Sequence, residues 1–433
     1  VAHPFDPAPH YAPRGKPAKA LMIAKVLAGV GLAAFVAGLF MDPTRTRAMA
    51  LICLVYFTGL SFGGLIFAVV QTLTLARWGR PLKRIAESFF VFAPIGVALL
   101  FALLLTGGLH DLYEWAHSPE LLHGPHKPKY LQPGWFYFRL AAFMGVLLLL
   151  GRHYLRNSLR ADLGVASEKL DGKHPAWWGR FIQDWQGEAT EVAACQKRMM
   201  TISPFYAIAY AVGLSFFAFD VVMSLNPHWY SNMFGGWFFC SCLWLAFIWS
   251  GMVSIRGRRW LGLEGIVDGA WHDLGKLVLA FSMVWAYMFY AQLLPIWYGN
   301  MTEEIGFLLV RLKLEPWTYV ARLVGVMCFL VPFGAMTSRG LKKMPTGFFL
   351  VLVIAATGVF LERFLVTMPN VWFESTLPLG PIEIAMAAGM AGLFLTVVLT
   401  FLGSVPPVPV SDPYMQPHPD DVHVTPSRTA NAH

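Results

Sequence analysis

The sequence predicts an all-α polytopic membrane protein, and three observations carry that expectation. Of 433 residues, 56% are hydrophobic and only 13% charged, about half the charged share of an ordinary soluble domain. About ten apolar stretches reach the ~20 residues that a helix needs to cross the hydrocarbon of a bilayer. The lysines and arginines between those stretches alternate, with 22 in the connections on one side and 6 on the other. Such an excess marks the cytoplasmic side, so both termini are expected in the cytoplasm.

Taken in order, the stretches run roughly over 18–40, 48–76, 84–107, 134–156, 199–225, 230–255, 270–297, 317–338, 345–367 and 379–403. Together they make a transmembrane domain over 18–403, between a polar N-terminal arm, 1–17, and a Pro-rich tail, 404–433. Pro94, Pro204, Pro295 and Pro332 fall inside or at the ends of spans, where neighbouring helices can re-satisfy the freed carbonyls. Gly59 and Gly63 form a GxxxG pair, which favours close helix contact. No short hydrophobic segment is followed by a small-residue cleavage site, so a removable signal peptide is not expected. The net charge of +8 is spread over many short loops, which fits membrane topology rather than nucleic acid.

Two connections are long. The one over 108–133 holds His110, His117, His123 and His126 with Asp111, Glu114 and Glu120, in no standard metal-ligand spacing. It is expected to be a solvated or partner-docking loop. The one over 157–198 carries Trp177, Trp178, Phe181 and Trp185 among charges and predicts a helix lying in the membrane interface. The tail is expected to be extended or bound to a partner.

The polar residues inside the spans are the candidate functional groups, because a charge at membrane depth is costly and by default paired, protonated or functional. Asp220 lies among Phe216, Phe217 and Phe219, just before the helix-breaking Asn226-Pro227; Trp229 and Tyr230 are expected at the headgroup level. With the orientation above, Arg139, Asp220, Arg322, Glu362, Arg363 and Glu383 fall toward the outer face, and Lys25, Glu87, His272, Asp273 and Lys276 toward the cytoplasmic face. An apolar belt separates the two sets. Proton entry and exit paths would have this arrangement; so would snorkelling and helix-end pairing. Glu362 and Arg363 are adjacent in sequence, so each is expected to find its partner on another helix, and Arg139 or Arg322 could pair with Asp220, Glu362 or Glu383. His272 and Lys276 share a helical face beside Asp273. Tyr287, Tyr290 and Gln292 could extend a hydrogen-bonded path, or simply pack.

Several chemistries are not expected. Cys53, Cys195, Cys240, Cys242 and Cys328 form no CxxC or CxxCH, so an iron–sulfur ligand set and a covalent c-type haem are not anticipated. Only His153 and His272 approach the spans, both near one end, so no haem b is expected. No P-loop, metalloprotease or kinase motif occurs. The chain is therefore read as binding no redox group of its own and no metal.

Three stretches carry a resemblance: Phe219-Asp220 through Asn226-Pro227-His228-Trp229, then Pro295-Ile296-Trp297-Tyr298-Gly299-Asn300-Met301-Thr302-Glu303-Glu304, and Leu361-Glu362-Arg363-Phe364. In this order, over roughly residues 18–403, the chain resembles the NrfD/PsrC-like integral membrane subunits. Within them it is most similar to the ActF type found in alternative complex III, a bacterial quinol:cytochrome c oxidoreductase. The resemblance implies two four-helix bundles with flanking helices, in a bacterial inner membrane. It implies partner subunits that carry iron–sulfur clusters and multiple c-type haems, and a sister NrfD-like subunit, with lipid around them. Menaquinone or its quinol is implied as a possible ligand, for which Asp220 and His228 are the candidate residues. The proton-path candidates are Asp220, Glu362, Glu383, Arg139, Arg322, Arg363, Glu87, His272, Asp273 and Lys276. A stand-alone secondary transporter and a purely structural scaffold subunit remain the alternatives.

Overall fold

A computed structural model of the chain describes residues 5–118, 120, 122, 127–300 and 302–415. It is 81% helical, with no strand among the described residues, and ten of its helices are long and apolar enough to cross a membrane. These are α1 (Ala18–Met41), α2 (Pro43–Leu73), α3 (Arg80–Leu112), α4 (Pro133–Lys169), α5 (Glu188–Leu225), α6 (Asn232–Leu261), α7 (Asp268–Gly299), α8 (Trp317–Thr337), α9 (Pro345–Asn370) and α10 (Pro381–Leu402). The expected spans and the helices agree in number and order. The start of α1 and the end of α10 lie at one end of the helices, where Gly403 meets Gly15 and Lys16, called here the terminal face; the other end is the far face.

Packing sorts the helices into two rings of four, α2–α5 and α6–α9, with α1 and α10 paired on the outside. The rings share a seam where α2 lies along α6, and the most apolar part of α2 is wholly enclosed. Small residues make the seam possible. A Cβ on Gly59 would stand 2.6 Å from the Cys242 sulfur, and one on Gly63 would run into the Cys242 carbonyl. The GxxxG pair thus brings two backbones together where no aqueous driving force exists between helices. Three helices also contain a π-helical turn: Leu104–Gly108 in α3, Ala218–Val222 in α5 and Val326–Leu330 in α8. Such turns add a residue to the helix and re-aim the side chains that follow.

Four expectations need correction. The long connection over 157–198 is mostly helix, because α4 and α5 extend beyond the membrane stretch as a hairpin joined by Arg160 and Glu191 at 2.8 Å. No interfacial helix forms there. Ala176–Trp178 and Gly179–Ile182 are single turns, and Trp178 is buried against Leu159, Leu163 and Val405. The tail is not extended over its first residues either: Val405 and Val408 are buried, and Ser411 and Asp412 bind groups inside the domain. The terminal arm docks as well, since His10 is buried and the Trp260 indole donates to the Gly15 carbonyl at 2.9 Å. The boundaries at 17 and 403 therefore do not separate loose segments from a packed domain. Finally, Trp229 does not sit among headgroups. It is buried, stacked on Phe307 with ring centroids 3.8 Å apart, while Tyr230 is 55% exposed.

The seam gives a direct prediction. Gly63→Leu should sharply reduce the yield of monodisperse protein in mild detergent, measured by size-exclusion chromatography, because a side chain there displaces the α6 backbone. Gly29→Leu, at a position with nothing within 4 Å, should leave the profile unchanged.

Candidate functional site

At the far face of the first ring, Arg139 of α4 and Asp220 of α5 form a two-pronged ion pair, Nη2–Oδ1 2.9 Å and Nε–Oδ2 3.1 Å, with both residues buried. Asp220 lies on the π-helical turn of α5, which swings its carboxylate toward α4. Arg139 also donates to the Tyr130 carbonyl at 2.7 Å and lies 3.7 Å over the Tyr130 ring. The start of the 108–133 connection closes this site from above. Tyr113 donates to the Val221 carbonyl at 2.7 Å, and the Trp115 indole to that of Ser224 at 3.1 Å, both rings being buried. That part of the connection is a fitted lid rather than a solvated loop. Asp111 is tied to Arg47, and the His110 and His117 rings face each other at 4.9 Å. His123 and His126 lie outside the described residues, and no group of three metal-ligating side chains occurs among those described.

The second ring is built differently. Glu362 and Arg363, neighbours on α9, pair with each other, contrary to the expectation that each would need another helix. The Trp285 indole donates to Glu362 at 2.7 Å, and Arg363 reaches on to Ser241 and lies 4.2 Å over the Phe238 ring. An aromatic collar thus lets the long guanidinium fold back along its own helix. Arg139 does find Asp220, but Arg322 finds no carboxylate within 4 Å among the described residues; it is exposed and lies 5.8 Å from the Tyr319 ring. Glu383 caps the start of α10 through the Gly380 amide at 2.7 Å and pairs with Arg45 at 2.7 Å, away from the other acids.

Beside Glu362 opens a cavity of about 580 Å³ between α6, α7, α8, α9 and the short helix Thr302–Leu312. Its walls are largely apolar, aliphatic and aromatic together, with Glu362, Gln292, Arg322 and Arg311 as the principal polar residues on its surface. Asp220 and His228, the residues expected to meet quinone, do not line it. Asp220 is locked to Arg139, and His228 is half-buried in the α5–α6 turn, its backbone amide bound to the Asn226 side chain at 3.2 Å. Tyr287 and Tyr290 are 69% and 53% exposed on the outer side of α7 and extend no internal path.

A second buried cluster lies near the terminal face. Arg84 of α3 binds Glu87 at 2.6 Å and also Asp162 of α4; Ser158 donates to Glu87 at 2.7 Å. Arg80 and Lys83 bind Asp412 of the tail at 2.9 and 3.3 Å, while Ser411 donates to Asp162 through both its amide and its hydroxyl. Only Glu87 of this group stood out in the sequence. The spacings Lys83–Glu87 and Arg84–Glu87, four and three residues, were a readable sign of a shared helix face. Asp162 and Asp412 gave none, because the packing of α3 on α4 brings in the first and the folded tail the second. Burial works against ionisation of Asp412, yet Lys83 and Arg80 prevail and hold its carboxyl below the usual range. His272, Asp273 and Lys276 do not join the cluster. Asp273 and Lys276 pair with each other at 2.5 Å on a partly exposed flank of α7, and Lys25 is exposed on α1.

Between the clusters, hydroxyls hang on the carbonyls of α2 and α6. Tyr154 bonds to Thr72 at 2.6 Å and to the Ala68 carbonyl at 3.1 Å. Tyr206 reaches the Phe62 carbonyl at 3.5 Å, and Tyr210 that of Phe239 at 2.7 Å, two residues from Ser241 and hence from Arg363. From Phe62 to Ala68 the path is bare, roughly 9 Å along the α2 axis at the helical rise. These hydroxyls are separate stations, each ending on a backbone carbonyl, and no hydrogen bond joins Tyr154, Tyr206 and Tyr210 to one another.

No protein-family model matches the chain, and no curated protein does so either.

Two outcomes follow. Arg139→Gln strands a buried carboxylate and should cost about 3–5 kcal/mol, read as loss of folded protein against detergent-solubilised wild type. Asp412→Asn should free the tail, seen as protease cleavage near 405–415. In the wild type the sign is that of a depressed carboxyl: the stabilisation is complete above the ordinary aspartate pKa of about 3.9 and is lost as pH falls through the lower folded value. Cleavage should thus stay slow through neutral and mildly acidic pH.

Proposed function

We propose that this chain is the cofactor-free membrane subunit of a quinol:electron-acceptor oxidoreductase of the alternative complex III type, related to the NrfD/PsrC-like subunits, and that it carries protons across its two rings. It sits in a bacterial cytoplasmic membrane with both termini inside. Its partners carry the iron–sulfur clusters and c-type haems, beside a sister NrfD-like subunit. The observation that supports this most is the pair of buried charged clusters, one at each end of the helices, with separate tyrosine hydroxyls between them and a bare stretch from Ala68 to Phe62.

A dry step is what a coupled path requires. A continuous wire would leak protons down their gradient, whereas a gap conducts only when a helix shift or water closes it. Quinol oxidation in a partner would move helices at the far face, alter the electrostatics around Glu362 and Asp220, and so change which carboxylate holds the proton. Glu87 and Asp162 would exchange with the terminal face, where the tail residue Asp412 covers the entry.

Two measurements decide this reading. Purification in mild detergent should bring haem absorbance with the chain; a colourless single polypeptide would favour the stand-alone transporter. In liposomes, Glu362→Gln should lower the protons released per electron while electron transfer continues, and Asp220→Asn should do the same if it folds. An unchanged ratio in Glu362→Gln would remove the proton role and leave a scaffold.

A further inference from the structure

At the terminal face a cleft of about 270 Å³ opens between the end of α2, the start of α3, the start of α5 and the docked tail. It lies where the apolar stretches of those helices begin or end, at 72–75, 80–83 and 193–200, which is the depth of lipid headgroups. Three cations line it, Arg80, Lys83 and Lys197, against the single carboxylate of Asp412, so positive charge is in surplus. Leu75 and Met200 line the same cleft and are exposed beside it. The cleft is thus basic inside and apolar at its edge.

Its cations are short of acceptors. Lys83 is 2% exposed, and a lysine ammonium carries three N–H donors. It makes one hydrogen bond, to Asp412 Oδ2 at 3.3 Å, and Glu87 stands 3.9 Å away. Arg80 binds that same carboxylate oxygen at 2.9 Å, while Asp412 Oδ1 is taken by the Tyr414 amide at 3.0 Å. One oxygen therefore serves two buried cations. On the α5 wall, the Lys197 ammonium and the Gln196 side chain form no hydrogen bond or ion pair among the described residues. Buried charged donors are nearly always satisfied, so a ligand that brings several anionic oxygens is indicated. A phosphate diester brings a pair of them with a single charge, which the surplus accommodates.

We propose that this cleft binds the phosphate of an anionic phospholipid, held between Lys83 and Lys197 beside Asp412, with its glycerol and acyl chains along Leu75 and Met200. Basic pockets between helices at a membrane face suit such headgroups. The lipid is a selected ligand that ties α3 to α5, distinct from the bilayer that merely solvates the helices. The tail carboxylate is its competitor, because Asp412 draws on the same Arg80 and Lys83 donors. The site requires neither a redox partner nor proton transfer.

The test uses the purified full chain, delipidated in mild detergent, titrated with dioleoylphosphatidylglycerol and read by its unfolding midpoint. A saturable rise is expected. Lys197→Gln should weaken the affinity about fivefold, and Asp412→Asn should strengthen it by a similar factor, because the competing charge is gone. Lys197 is exposed, so its variant should unfold near the wild-type temperature when no lipid is added. Lys19→Gln, which removes an exposed cation of α1 outside the cleft, should bind as the wild type does. Dioleoylphosphatidylcholine should give no saturable rise, since its choline brings a cation to a basic cleft, and inorganic phosphate should give none, since it lacks the chains. An equal rise from phosphatidylcholine would mean bulk solvation, an equal rise from inorganic phosphate a soluble ion, and an equal loss in Lys19→Gln general surface charge. Each of these overturns the proposal, as does unaltered affinity in Lys197→Gln or no gain in Asp412→Asn. Should a variant fold poorly, a phosphatidylglycerol with a photoreactive headgroup on the wild-type chain decides the matter: labelling of peptides 72–83 and 193–200 supports the site, and labelling elsewhere rejects it.

Discussion

Charge sunk in hydrocarbon has to be answered by other charge, and that requirement organises this molecule. Isolated, the Asp220 carboxylate or the Arg84 guanidinium would cost several kcal/mol at membrane depth. Each is instead answered by a residue on another helix or in the tail: Asp220 by Arg139, Arg84 by Asp162, Arg80 by Asp412. Removing one member of such a pair would leave the other charge buried and unpaired, which is the costly change. An apolar helix can slide or rotate against its neighbours at little cost, whereas one that carries half of a buried ion pair has a single acceptable register. The α4–α5 pair at the far face and the α3–α4 pair near the terminal face hold the first ring in this way at both ends.

Close backbone approach does the complementary work at the centre. Along the seam of α2 and α6 there is little charge to direct packing, and small residues allow dispersion contacts to do so. The enclosed α2 then becomes a ladder of carbonyls from which tyrosines of α4 and α5 hang their hydroxyls. The helix that is most buried thus also carries the hydroxyl contacts between the two ends.

The two rings answer their buried acids differently. In the second ring Glu362 pairs with Arg363 on its own helix and a cavity opens beside it; in the first, Asp220 meets Arg139 across helices beneath Tyr113 and Trp115. The difference separates a sealed ion pair from an accessible cavity.

Much of this was legible in the residues alone. The number and order of the spans follow from apolar length, and Asp220, Arg139, Glu362 and Glu87 stand out because so few charges occur in the apolar stretches. The pairing of Arg139 with Asp220 was one of a short set of alternatives. What the linear chain could not settle was partner choice over long separations: Asp412 with Arg80, Ser411 with Asp162, or the self-pairing of Glu362 and Arg363 within an aromatic collar. Nor could it show that Trp229 turns inward to Phe307, or that Trp177 and Trp178 belong to turns on a helical hairpin. Hydrophobicity is a property of each segment and survives in one dimension. Which charge answers which depends on helix rotation and depth, and those are decided only when the helices pack.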